Sequence, residues 1–418
     1  MSAPIRSLMI TPILPDKTGN GLSMRMGVFA EALAQLGPLV IIVVPVAGSA
    51  ISGNEFTDSL GAQVYLIDVT SHISAHFKLV SRLTDPLARI AAFKAFGQPS
   101  LARGLTPPVL EQITRILAQE RPDLVHIGRS YLVACASLLA TGTQAVLDLD
   151  EDDYTSYLQQ AKVAKASGDK HRADWLEQEA IACDALISNW KDHFHRIFVA
   201  SNAEARTLRA RHNLLNVTVI ENAIAVPALA PRQVTKTRLL FVGSLSYAPN
   251  SDGMIWFLER VVPRLRARLR TPVFIDIVGS MAPRRLVEKR GPNIILHGFV
   301  TSLTDFYKRA TIAIAPLHAG GGTRIKLLEA SAYGLASVAT EVASAGLGYD
   351  VGWTANSSED FATCVSEAIH DNQMRDRRAR KARQYVQRHF TRDVVMVRIC
   401  QAVRGCSLGT ETARRHTT

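Results

Sequence analysis

Apolar residues along the chain fall into short, nearly unbroken runs, separated by longer stretches in which they recur at every third or fourth position. In the first half the runs are Ser7–Ile13, Leu39–Pro45, Val64–Val69, Asp123–Ile127, Ala145–Asp150, Arg196–Ser201 and Val217–Asn222. Their β-branched, almost continuous apolar character is that of strands covered on both faces, as in parallel sheets. Between the first two runs, Met24, Val28, Ala32 and Gln35/Leu36 stand at helical spacing over Met24–Leu36, and Gly37 ends the pattern. A second series starts afresh at Arg238–Gly243 and continues with Val273–Gly279, Ile294–Val300, Thr311–Pro316 and Ala336–Glu341. Helical patterns there lie near Gly253–Leu269, Ser302–Arg309, Arg324–Tyr333 and Ser358–His370. The two series are separated by AVPALAPRQVTKT, proline-rich and without periodicity, which reads as a linker. Strands alternating with helices predict an α/β protein. With no fixed-period repeat, the expectation is two doubly wound, Rossmann-like domains facing a cleft at the carboxyl ends of their sheets. The boundaries expected are 1–224, linker 225–237, 238–375, and a basic helix and tail over 376–418 that packs back on the first domain.

The length of 418 residues suits two such domains, and 47% hydrophobic with 20% charged residues excludes a disordered or fibrous chain. Lys+Arg number 48 against 37 Asp+Glu, a net charge of +11, so anionic partners are favoured: nucleic acid, a membrane surface or a phosphorylated substrate. A nucleic-acid role lacks a recognition helix, an aromatic RNP-like pair or a zinc module, and aromatic residues make up 6% of the chain. The cysteines Cys135, Cys183, Cys364, Cys400 and Cys406 show neither a C-x-x-C pair nor zinc spacing, which suits a reducing cytoplasm. The apolar run Leu8–Leu14 is cut off by Pro15, Asp16 and Lys17, too soon for a signal peptide. Pro38–Ala47 has about half the length of a spanning helix. A soluble, cytoplasmic protein is expected, peripheral on the inner face of the membrane if it meets one.

The segment richest in chemistry is APLHAGGGTRIKLLEASAYG, Ala315–Gly334. A strand ends at Pro316, then Gly320, Gly321 and Gly322 allow close backbone approach to a ligand, and a helix begins near Thr323 as its N-cap. Its first turn presents free N–H groups to an anion. Arg324 and Lys326 stand in that first turn, where the helix dipole disfavours cations unless an anion compensates. A phosphate site is the preferred reading, a solvated basic turn the alternative. Glu329, a turn and a half beyond Arg324, reads either as an acceptor for sugar hydroxyls or as a surface ion-pair partner.

Around this segment the chain resembles the family 4 glycosyltransferases of the GT-B fold (group 1 glycosyl transferases), nearest a bacterial surface-polysaccharide type. The matching stretches are LLFVGSLSYAPNSDGMIWFLERVVP, DIVG, HGFV and GGGTRIKLLEA between Leu239 and Ala330. Weaker ones are GNGLSMRMGVFAEALA, PDLVHIGRS, VLDLDEDDYTSY, VASNAEARTLRARH and VTVIENAI upstream. The resemblance implies a metal-independent enzyme without a cofactor, moving a sugar from a nucleoside-diphosphate donor to a glycan or lipid-linked acceptor with retention. It implies donor contacts at Gly243, Ser244, Asn250, Gly320, Gly321, Gly322, Thr323, Glu329, His297 and Asn222. The chain departs from the family where Gly321 replaces the first glutamate of Glu-x7-Glu, and where Ser244 and Asn250 replace an Arg and a Lys that grip the diphosphate. Arg324 and Lys326 are expected to restore that charge as the catalytic cations. Gly128 also replaces the second histidine of H-x-H after the fourth strand, leaving His126 alone.

For the acceptor or diphosphate, the loop TGNGLSMR offers Gly19, Gly21 and Arg25; His126, Asp148 and Asp150 are further candidates. A tight connection, a packed strand-end histidine and a solvated or N-capping acidic cluster are the competing readings. Lys78, Arg82, Arg89, Lys94 and Arg103 flank an apolar stripe within Ser71–Leu105, suiting either an anionic membrane face or a helix pair packed on the sheet. From Asp371 onward there are twelve Lys/Arg against four acids, a difference of +8, with Arg375–Arg383 read as a solvated helix face. Two further functional readings stay open: a sugar-nucleotide-binding relative without activity, and a nucleotide-sugar epimerase of the same fold. Donor sugar, acceptor and oligomeric state are not readable.

Overall fold

The computed structural model describes residues 3–46, 51–69, 91, 99, 101–229, 231, 234–321 and 324–414, and their side chains as far as residue 405. The chain divides into two compact units. The first comprises Met1–Ala223, Gly321–Thr323 and Asp393–Thr418, the second Ile224–Gly320 and Arg324–Arg392.

The first unit is built on a seven-stranded parallel sheet. Its strands are β1 (Ser7–Thr11), β2 (Leu39–Val43), β3 (Gln63–Leu66), β4 (Leu124–Gly128), β5 (Gln144–Asp150), β6 (Arg196–Val199) and β7 (Val217–Val219), in the order 3-2-1-4-5-6-7. The central strands are sealed on both faces, which explains their unbroken apolar runs: Leu8, Met9 and Ile10 in β1 have no exposed surface. Alternate residues feed two core layers. Met9, Ile41 and Phe198 pack with Phe29 and Leu33 of the helix Gly21–Leu36; Leu8, Ile10 and Ile127 pack with Val109 and Ile113 of the helix Pro107–Glu120. The first of these helices starts at Gly21, with Asn20 accepting from the Ser23 N–H at 2.9 Å as its N-cap.

The helix Arg392–Arg414 also joins this unit. Val395, Ile399 and Val403, at helical spacing, are buried in the layer that holds Phe29 and Leu33, and Arg398 pairs with Glu221 at 2.8 Å. The basic helix expected over 376–418 is two helices, parted at Phe390–Thr391: Asn372–His389 belongs to the second unit and Arg392–Arg414 to the first.

The second unit carries a six-stranded parallel sheet of β8 (Arg238–Val242), β9 (Phe274–Val278), β10 (Ile294–Gly298), β11 (Ile312–Ala315), β12 (Ser337–Ala339) and β13 (Gly352–Thr354), in the order 10-9-8-11-12-13. This is the doubly wound order, in which successive strands run outward one way from β8 and then outward the other way from β11. The helix expected from Gly253 begins at Ala248, with Pro249 in its first turn, where a missing N–H costs nothing. It widens into a π turn over Phe257–Val261 just before Pro263. The proline ring would collide with the carbonyl four residues back in a regular helix, and the wider turn relieves it.

Candidate functional site

In a doubly wound sheet the ligand crevice opens where strand order reverses, at the carboxyl ends of the two strands on either side. Here those strands are β8 and β11. The loop Gly243–Tyr247 follows β8, and the loop from Pro316 to Gly320 follows β11. The helix Ile325–Ala332 comes next and supplies the cation. Lys326 Nζ donates to Asn250 Oδ1 at 2.9 Å, and Asn250 Nδ2 donates to the Ser244 carbonyl at 2.7 Å. Gly243 is required at the base of this arrangement, because a Cβ there would lie 2.8 Å from Asn250 Nδ2 and 3.3 Å from Lys326 Cε. Burial, with the nearby Arg324 charge, pulls Lys326 down to about 7, against the opposite pull of Glu329. Such a cation is held ready for an anion that would restore its charge.

Arg324 stands at the cap position, and the helix begins at Ile325 without a side-chain cap bond. The buried Arg324 guanidinium turns back on its own loop and donates to the Gly320 carbonyl. Gly320 holds φ +116°, a conformation favouring glycine, and a Cβ there would come within 3.2 Å of Arg324 Nη1. Gly322 and Thr323 lie outside the described residues. Gly321 groups with the first unit, where its N–H donates to Glu151 Oε2 at 3.0 Å.

Glu329 lies one turn beyond Lys326 on the same helix. The buried Tyr307 hydroxyl donates to Glu329 Oε2 at 3.2 Å, and Tyr307 stacks on Tyr333 with centroids 4.4 Å apart. Burial pushes Glu329 up to about 7, while the Tyr307 hydrogen bond and Lys326 work against the rise. Tyr307 carries no local motif, so only the folded chain reveals it. For His297, expected to contact the donor, Nε2 lies 2.7 Å from Oδ1 of the buried Asp276, which also pairs with Arg238 at 3.0 Å and Arg309 at 3.5 Å. These groups tie β8, β9 and β10 together around Asp276 in the middle of β9.

In the first unit the expected acceptor residues form a buried arginine network. Arg25 grips Asp148 bidentately, Nε to Oδ2 at 2.8 Å and Nη2 to Oδ1 at 2.7 Å, with side chains 1% and 0% exposed. Its Nη1 donates to the Ile220 carbonyl and to Asn222 Oδ1. Asn222 in turn donates to Asp150 at 3.2 Å. Arg25 and Asp148, expected at an acceptor, and Asn222, expected at a donor, thus join the ends of β5 and β7 to the first helix. Asp150, at a break in the β5–β6 register and with φ 61°, turns toward Arg25 and Arg129. Glu151 and Asp153 meet Arg129, and Asp152 meets Arg211, so these carboxylates are paired with arginines rather than solvated. Gly19, at φ 103°, sits at the exposed loop tip, and Gly21 opens the helix behind it.

His126 is wholly buried in mid-strand on β4, its ring 4.7 Å from that of Phe29, and neither ring nitrogen has a hydrogen-bond partner. His126 thus takes the packed strand position that stood beside an acceptor contact as its alternative. Burial, reinforced by the Arg25 charge and opposed by Asp148, lowers its pKa to about 4. The folded value lies below the ordinary 6.5, so the stability owed to a neutral His126 is complete above pH 6.5 and is lost as pH falls toward 4. The loss should total about 3 kcal/mol. Calorimetric melting at pH 7 and pH 4.5 should show a smaller drop in His126→Phe than in the unsubstituted protein; equal drops would refute this.

The basic stretch within Ser71–Leu105 falls mostly outside the described residues. Several tail arginines are structural: Arg378 lies over Trp353 at 4.7 Å, and buried Arg383 donates to the carbonyls of Ala332 and Pro227. Arg377, Arg380, Lys381 and Arg388 are exposed. A surface hollow of about 670 Å³ beside Trp353, His370 and Met374 has its guanidinium, Arg378, already engaged, so it is a poorer anion site than the crevice at β8 and β11. Among the described residues no helix is long and apolar enough to cross a membrane.

Residues 236–371 match the family described as Glycosyl transferases group 1. No curated protein matches the chain by sequence. Among solved structures, sucrose-phosphate synthase from Thermosynechococcus elongatus superposes with a TM-score of 0.69 at 13% identity, covering 97% of this chain and 100% of that one. The α,α-trehalose 6-phosphate synthase of Burkholderia multivorans gives 0.67 at 12% identity, with 99% of each chain covered. Anabaena HepE, solved with UDP and glucose, gives 0.64 at 11%, covering 96% and 100%. At such identities these structures establish the GT-B-like fold, and the match over residues 236–371 identifies that segment of the second unit as similar to the group 1 glycosyl transferases.

Proposed function

We propose that the chain transfers a sugar with retention from a nucleoside diphosphate to a glycan or lipid-linked acceptor, in cell-surface polysaccharide or glycoconjugate synthesis. It would work in the cytoplasm, against an anionic membrane surface. The observation that carries the reading is Lys326: a desolvated cation held at the crevice between β8 and β11, one turn before Glu329 on the same helix. In this reading the diphosphate lies against Lys326, and Glu329, steadied by Tyr307, accepts from the ribose hydroxyls. As the bond from the anomeric carbon to the diphosphate oxygen breaks, negative charge grows on the leaving group. A fixed cation there stabilises that charge more than it stabilises the bound donor, which is what accelerates the step. The departing phosphate oxygen takes the acceptor's proton, so one face of the sugar serves both groups and no protein base is needed. Arg324 adds charge and shapes the loop through Gly320.

The test is a thermal-shift panel of nucleotide-sugars. A ligand present at 100 times its Kd stabilises the folded state by about 2.7 kcal/mol, so the true donor should raise the melting temperature clearly. An unmoved melting point with every member at millimolar concentration would overturn the donor-site reading.

A further inference from the structure

We infer that Asn250 is a positioning residue, whose side-chain amide fixes the Lys326 ammonium at the crevice between β8 and β11 without cancelling its charge. The inference rests on the donor-site reading for its consequence in catalysis, and on geometry for the positioning itself. Asn250 is 4% exposed and sits in the first turn of the helix that follows the β8 loop. Its two ends have unlike neighbours. The Ser244 carbonyl can only accept, so the NH2 end must face it; the Lys326 ammonium can only donate, so the oxygen must face that. One amide orientation satisfies both bonds, and the side chain thereby spans from the β8 loop to the helix after β11. Gly243, whose missing Cβ leaves room for both partners, completes the fit.

The choice of an amide is what gives the arrangement a function. A carboxylate at position 250 would also hold the lysine, but it would neutralise the cation and repel both the Ser244 carbonyl and an incoming anion. An alkyl side chain would leave the ammonium without its acceptor. The neutral oxygen of Asn250 directs Nζ and leaves the positive charge for a ligand. The other charged groups acting on Lys326 are Arg324 and Glu329. Neither makes a hydrogen bond to Nζ in the structure as described, which leaves Asn250 as the group that sets its direction.

The experiment uses the full-length protein and its Asn250→Asp and Asn250→Ala variants, each checked for folding by circular dichroism and melting temperature. Competitive acetylation across a pH series, read by peptide mass spectrometry, gives the Lys326 titration without any ligand. Calorimetric titration with uridine diphosphate gives affinity. The unsubstituted protein should show a Lys326 inflection near neutral pH. Asn250→Asp should raise it by about one unit or more, since an adjacent carboxylate favours the ammonium, and should weaken binding at least tenfold. Asn250→Ala should lower the inflection and weaken binding about tenfold, because a hydrogen bond to a charged group has gone. Lys326 titrating identically in all three folded proteins would overturn the positioning role, even if binding weakened. Shifted titrations with no uridine diphosphate binding by the unsubstituted protein would uphold the positioning and count against the donor-site reading instead.

Discussion

Lys326→Met is expected to lower donor-dependent turnover by about 10²–10³-fold, the cost of removing one preorganised group aimed at developing charge. The expected readout is release of nucleoside diphosphate from the donor that the panel identifies. The melting temperature should change little or rise, because methionine replaces a desolvated ammonium with a group that suits its surroundings. Lys326→Arg should not restore activity. The Asn250 oxygen sits 2.9 Å from a single compact nitrogen, and a longer planar guanidinium cannot occupy that point without displacing Asn250. Turnover close to that of the unsubstituted enzyme in Lys326→Met would remove the cation from the mechanism.

Breaking the Arg25–Asp148 pair should have the largest effect on stability. Both side chains are shut away from water, and Asp148 offers both oxygens to the guanidinium. Asp148→Ala strands a buried cation, and removal of one member of such a pair costs about 3–5 kcal/mol. A hydrophobic pair of similar volume, Arg25→Met with Asp148→Leu, should recover most of that loss, since neither charge then has to be desolvated. Urea unfolding followed by fluorescence of the full chain measures both. Additive losses in the double variant would show that the two residues act separately.

The contrast between these two sites explains what could be read from the chain. Each of the twelve apolar runs named as strands becomes a strand in the folded protein, because parallel strands buried on both faces must be apolar throughout. The thirteenth, Gly352–Thr354, is three residues long and pairs at the sheet edge with β12, too short to stand out from its surroundings. The helix start at Ala248 was hidden because Pro249 and Asn250 carry turn chemistry in sequence, yet suit a first helical turn in space. Among the site residues, Lys326 and Glu329 were legible since one helix turn separates them. The partners that define them were not. Asn250 is 76 positions from Lys326, and Tyr307 is 22 from Glu329.

The same distance effect hides the pairing within the first unit. Arg25, Asp148 and Asn222 each sit beside a glycine-rich or acidic loop that resembles a binding site. Yet separations of 123 and 197 residues conceal that they saturate one another. Charge behaves alike. Much of the tail's excess is spent inside the fold, by Arg378 on Gly352 and Trp353 and by Arg383 on Ala332 and Pro227. Among the described residues, the outward-facing share open to an anionic surface is Arg377, Arg380, Lys381, Arg388 and Arg404.

The central claim is that the crevice at the carboxyl ends of β8 and β11 receives a nucleoside diphosphate. Hydrogen–deuterium exchange of the full chain, with and without saturating uridine diphosphate, tests it most directly. The account predicts slowed exchange in residues 243–250 and 316–329, with the Arg25–Asp148 network unchanged. Measurable binding with protection confined to other segments would contradict it.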